Sequence, residues 1–167
     1  MKTKKLVFMA LLTAISLGIW VVEAQIPAPV PVPGVKLGLA NIITLAAMVL
    51  LGRKEAACVL GLRIVLGSLF AGSFSAILFS LAGGLLAWGI MALTLGLFEE
   101  KQLWIVSVFG ALGHNAGQLL AAVGVTKTPS LLWYGPALLA SGIVTGAFTG
   151  LAAVYLVKAV KHYIRDI

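Results

Sequence analysis

His114, Asn115 and Gln118 fall within one turn of an apolar segment and are the densest hydrogen-bonding set in the hydrophobic parts of the chain. His114 and Gln118 are four apart and share a helix face, and Asn115 stands three before Gln118. Polar side chains in an apolar interior must find partners. Two readings follow. The three side chains bond to neighbouring helices and only fix packing, or they form part of a polar ligand pocket. Gly110, Gly113 and Gly117 around them would let a ligand or a neighbouring backbone come close. Asn41, the one amide of an earlier apolar segment, is a further candidate. Arg63 is the only charge inside a predicted helix. Burying it costs roughly 2.5–3.5 kcal/mol on the insertion scale. It lies about 10 Å from the nearest charged turn, so it either snorkels to that turn or offers a fixed positive charge to an anionic ligand or a partner carboxylate. The carboxylates are Glu23, Glu55, Glu99, Glu100 and Asp166, all outside the predicted helices. His114 and His162 are the only histidines, in different surroundings, and Cys58 is the only cysteine, so no metal site or cofactor is expected. Cys58 reads as a small packing residue.

The elements that position these residues follow from composition. The chain is 61% hydrophobic and 10% charged, against about 25% charged in soluble domains. Most of its surface therefore faces lipid. A spanning helix needs about 20 apolar residues, so 167 residues allow six spans with short loops. The expectation is an all-α membrane protein with six transmembrane helices in one integral membrane domain, residues 1–167. The helices are placed at about 6–22, 37–52, 56–70, 74–97, 103–123 and 131–157. Residues 56–98 are too long for one span and must fold back, with the break at Ala71-Gly-Ser-Phe-Ser75. Gly83-Gly84 is a second break or a close-packing point. Lys2 to Ala24 resembles a secretory signal, but the apolar run is longer than an ordinary signal core and reads as the first helix. Its Ala10, Ala14 and Gly18 fall on one face that lets another helix approach.

Between the first two helices lies a Pro-rich loop, 23–36, with Pro27, Pro29, Pro31 and Pro33 at alternate positions. Proline lacks an amide N–H, so the loop is a stiff extended strap. A strap that delivers Asn41 into a helix suggests a lid over a site. Lys2, Lys4, Lys5, Arg53, Lys54, Lys101, Lys158, Lys161 and Arg165 fall on one side, and only Lys36 and Lys127 on the other. The positive-inside rule then puts both termini in the cytoplasm and the strap outside the cell. It also accounts for the net charge of +7 without a nucleic-acid partner. Trp20, Trp104, Trp133 and Tyr134 lie near predicted helix ends and read as interfacial anchors; Trp133 and Tyr134 could also border a pocket mouth.

The run Pro33-Gly-Val-Lys-Leu-Gly-Leu-Ala-Asn-Ile-Ile-Thr-Leu45, with Gly52-Arg-Lys-Glu-Ala56 and Arg63-Ile-Val-Leu-Gly-Ser68, resembles the bacterial Gx transporter family, also called heptaprenyl diphosphate synthase component I. Ser80-Leu-Ala-Gly-Gly-Leu-Leu86 and Gly113-His-Asn-Ala-Gly-Gln118 fit the same pattern. That family is similar in architecture to the substrate-binding S components of energy-coupling factor vitamin transporters. The resemblance implies an S-component-like bundle with a lid loop and an outward-facing pocket for a small molecule. It also implies that Ala10, Ala14 and Gly18 meet a transmembrane coupling subunit with ATPases. The synthase label sits poorly with the residues. Asp166 is the only aspartate, so the carboxylates that would hold catalytic Mg²⁺ are missing. No Ser–His–Asp set and no phosphate loop is present. The expected protein is a binding subunit, not an enzyme, with Asn41, Arg63, His114, Asn115 and Gln118 as pocket candidates.

Overall fold

A computed structural model describes residues 3–27, 31–32, 34–72 and 74–163. Pro29 and Pro33 of the strap, and Arg165 and Asp166 of the tail, lie outside them. Each α-helix follows from a largely apolar run between turn residues. The helices are α1 (Thr3–Glu23), α2 (Asn41–Leu50), α3 (Arg53–Ala71), α4 (Phe74–Thr94), α5 (Leu103–Thr126) and α6 (Gly135–Lys161). Short 3₁₀ turns follow α4 and precede α5 and α6.

Four segments are long and apolar enough to cross a membrane: Thr3–Glu23, Ser75–Leu97, Glu100–Thr126 and Pro129–Lys161. The other two helices correct the count of six spans. The first turn of α3 carries Arg53, Lys54 and Glu55, and Arg63 lies further along, so it is less apolar. α2 has only 10 residues, rising about 15 Å, half of a bilayer core. Leu37–Ala40 look helical by hydrophobicity, yet the chain stays irregular there. Gly38 sits at φ +79°, a left-handed conformation that ends any helix and suits glycine. α3 stops at the expected point: Gly72 adopts φ +59°, and its N–H bonds to the carbonyls of Ser68 and Leu69. α4 runs unbroken through Gly83-Gly84, which are packing points. A Cβ on Gly84 would stand 3.1 Å from Leu60 of α3.

The core forms around the short helix. α2 touches each of the other five helices, and Ile43 to Met48 are all buried. A helix buried all round needs no polar face. α5 is held against α4 on one side and α6 on the other by glycines. A Cβ on Gly117 would lie 2.3 Å from the Ala82 carbonyl oxygen, and one on Gly150 would lie 2.4 Å from the Trp104 Cα. The Ser107 and Thr149 hydroxyls bond across α5 and α6 at 2.9 Å. Outside, Leu69, Phe70, Leu93, Trp133, Val144 and Tyr155 are exposed, as expected for a surface facing lipid. Cys58 is also exposed, on α3, and not the packing residue expected. Lys5 pairs with Glu55 at 2.6 Å, tying α1 to α3, and Lys161 pairs with Glu100.

The glycine packing has a direct test. Gly117→Val should lower the detergent-solubilised melting temperature by about 5–10 °C, the scale of an overpacked core contact in a chain of this size. Gly89→Ala, where an added Cβ meets nothing within 4 Å, should leave it unchanged or raised. Differential scanning fluorimetry of both variants reads the difference, and equal melting points would mean that the α4–α5 contact does not hold the bundle.

Candidate functional site

Because α2 is short, the strap descends into the bundle to reach it, and exposed backbone amides follow it inside. Among the described residues, side chains of other helices meet those of Gly38 and Lys36. The Gly38 N–H donates to a carboxylate oxygen of Glu23, the last residue of α1. The Lys36 N–H donates to Gln118 Oε1 of α5 at 3.0 Å. The Lys36 ammonium lies 3.9 Å over the centre of the Trp20 ring, a cation–π contact. Burial lowers the pKa of Lys36 from its ordinary value; Glu23 opposes the shift and Arg63 adds to it. Gly34, at φ +78°, lets the strap lie flat on the Phe79 ring of α4. Val32 and Val35 are buried beside Phe79, Leu119 and Leu138.

Beneath the strap is a small polar cavity of about 10 Å³, room for roughly one water. Glu23, Lys36, Gly38, Asn41, Arg63, Ser80, His114 and Gln118 line it, with Trp20 and Ala40. A larger cavity of about 350 Å³ adjoins it and shares Trp20, Lys36, Ser80 and Gln118. The rest of its wall is Gly34, Ser75, Ala76, Phe79, Val125 and Thr126. A third cavity, about 200 Å³, lies along the strap between Glu23 and Leu37.

The polar wall is far from satisfied. Arg63 Nε and Nη2, both amide atoms of Asn41 and both ring nitrogens of His114 are buried without a hydrogen-bond partner, as is the Thr44 hydroxyl outside the cavity lining. The Gly83 backbone packs against the His114 ring edge without a well-formed hydrogen bond. Gly38 and Gly83 both have to be glycine here. A Cβ on either would stand 2.9 Å from the His114 ring. No three His, Cys, Asp or Glu side chains among the described residues come together to hold a metal.

Asn41, Arg63, His114 and Gln118 are thus brought to one cavity. Asn115 is not: its amide nitrogen donates to the Leu138 carbonyl at 2.7 Å and faces α6. Arg63 does not snorkel; it is 3% exposed and turns inward. Gly110 and Gly113 face Met91 and Ile90, and Gly117 faces Ala82, so those glycines admit a helix and not a ligand. Sequence reasoning missed Glu23, Lys36, Trp20 and Ser80. Like Glu55 in the first turn of α3, Glu23 lies inside a helix, here α1, and it is buried, a correction to its placement outside the helices. Its signal was a lone acid at the end of an apolar run, directly before the strap. Trp20, expected at an interface, is buried under Lys36. Trp104 and Trp133 are exposed and Tyr134 is half-buried.

A family model described as heptaprenyl diphosphate synthase component I matches residues 12–156, a stretch that includes every cavity residue. No curated protein and no solved structure matches the chain.

The Glu23–Gly38 bond should hold the strap closed. A hydrogen bond to a charged group contributes about 1.5–3 kcal/mol, so Glu23→Gln should speed amide hydrogen exchange over residues 34–40 by about tenfold or more. Glu55→Gln, at the other end of the bundle, should leave that exchange unchanged. Equal protection in Glu23→Gln and wild type would show that the carboxylate is not the fastening.

Proposed function

The chain belongs to the heptaprenyl diphosphate synthase component I (Gx transporter) family, and from that premise we propose that it is a membrane-embedded, S-component-like subunit that binds a small, vitamin- or cofactor-like molecule for uptake. The observation that carries this reading is the set of buried, unpartnered polar atoms on Asn41, Arg63 and His114 beside a cavity of about 350 Å³ under a strap. Leaving such atoms unpaired costs about 1–3 kcal/mol each. A chain that needed only packing would have apolar side chains there. The strap acts as the lid, and Asn41, Arg63, His114 and Gln118 bind the ligand, with Asn115 bracing α5 on α6. The basic ends of the helices face the cytoplasm and the strap faces outward.

Energy for uptake comes from a partner ATPase module. Ala10, Ala14 and Gly18 are exposed on α1, and nothing lies within 4 Å of a Cβ added to Gly18. That face fits the docking of a coupling subunit. A second reading draws on the family's description, which names one component of a synthase. In it the chain is a non-catalytic membrane subunit associated with isoprenoid, quinone or flavin-linked redox metabolism.

Native mass spectrometry of the protein purified in mild detergent separates the two. A stoichiometric bound small molecule is expected. A clean apo mass with a second polypeptide retained would favour the synthase subunit. For the docking face, Ala10→Trp with Ala14→Trp should reduce cellular uptake of that molecule at least tenfold and leave its binding to purified protein unaltered. Unchanged uptake would remove α1 from the coupling role.

A further inference from the structure

We infer that the ligand is an amphipathic anion, with one carboxylate or phosphate head held by Arg63 and an apolar body lying in the larger cavity. The inference rests on the binding-protein reading above and specifies its ligand class. Arg63 carries the argument. Its side chain is 3% exposed, and the two unpartnered nitrogens are Nε and Nη2. These form one edge of the guanidinium, where two N–H bonds run parallel and match the two oxygens of a carboxylate or phosphate. The orphaned edge is therefore the two-pronged one. The Asn41 amide nitrogen adds a further unpaired donor.

The charge balance agrees. Lys36 and Arg63 line the small cavity with a single carboxylate, Glu23, whose oxygen already accepts the Gly38 N–H. One positive charge is left uncompensated. Asn41 opens α2, so the positive end of that helix dipole also lies here. The adjoining cavity is of another kind: Trp20, Ala76, Phe79 and Val125 give it a largely apolar wall. Its volume of about 350 Å³ suits a ring system or short chain and is too small for a whole phospholipid. The inner cavity, about 10 Å³, is smaller than a carboxylate. The head group therefore enters as the Lys36–Gly38 segment lifts, breaking the bonds to Gln118 and Glu23.

Three probes of one shape test the class: 2-naphthoate, 2-naphthyl phosphate and the neutral 2-naphthamide, each titrated calorimetrically into the full-length protein in detergent. One of the two anions should bind at least tenfold tighter than the amide. Arg63→Gln should erase that preference, and Arg63→Lys should restore it only in part, because an ammonium lacks the paired edge. If Arg63→Gln does not fold, the wild-type ratio decides alone. An amide bound as tightly as the anions, or a preference that survives Arg63→Gln, overturns the inference. Mass analysis of whatever co-purifies separates this failure from that of the parent reading. A neutral or cationic bound molecule refutes the anionic class and keeps the binding protein. No bound molecule and no probe affinity refutes both. An acidic lipid fragment or a water-soluble acid each supports the class and names its source.

Discussion

A helix of ten residues cannot cross a bilayer, and the rest of this molecule is arranged around that constraint. The chain reaches that helix through irregular backbone, at Leu37–Ala40. Irregular backbone at membrane depth is tolerated only where protein or a wet cavity meets its polar groups. Glu23 and Gln118 do this for the amides of Gly38 and Lys36. The two acceptors come from α1 and α5, so the strap is fastened to opposite parts of the bundle. The N-terminus of α2 ends up in the interior instead of at a surface. Broken or shortened helices whose ends point at a buried site are a recurrent device of membrane transport proteins.

The buried charges follow from the same geometry. A charged side chain inside a membrane protein costs several kcal/mol unless it finds a partner. Arg63 shares the cavity with Glu23, which offsets part of that cost. The two do not form a direct ion pair among the described residues, since Glu23 is committed to the strap. Had stability alone set these positions, Glu23 and Arg63 would meet, or both would be replaced by apolar side chains of similar volume. Instead the carboxylate fastens the backbone, and one edge of the guanidinium is left turned into the cavity.

The long helices were legible in the sequence because lipid demands unbroken apolar runs, and charged or glycine-rich turns end them. Gly72 stopped α3 where the small residues said it would. Asn41, Arg63, His114 and Gln118 were legible as the polar exceptions within those runs. Hydrophobicity hid the start of α2, because Leu37, Leu39 and Ala40 are apolar and yet not helical. The distinction lay in the left-handed turn at Gly38, which no apolar pattern encodes. The three-residue spacing of Asn115 to Gln118 groups it with the pocket set, although Asn115 points about 100° away from its neighbour His114. That rotation sends His114 to α4 and the strap, and Asn115 to α6. Glu23 reads as loop because it stands at a boundary, where one residue decides between burial and exposure.

The two halves of the bundle are held by different forces, which bears on how a closed site would be reached. α5 meets α4 and α6 through glycines at near-backbone contact, and such close packing cannot loosen gradually. Among the described residues, the strap is held by the hydrogen bonds of Gly38 and Lys36, by the cation–π contact of Lys36, and by Val32 and Val35 against Phe79, Leu119 and Leu138. Each of these contributes on the order of 1–3 kcal/mol, and each can break without disturbing the glycine contacts. Low-stability segments of a fold are the ones that open to admit ligands. His114 and Gln118 stand on the rigid side and Glu23 on α1, while Lys36 and Gly38 travel with the strap. In the proposed opening, Lys36 would part from Gln118 and Gly38 from Glu23, while His114, Gln118 and Arg63 would stay in place.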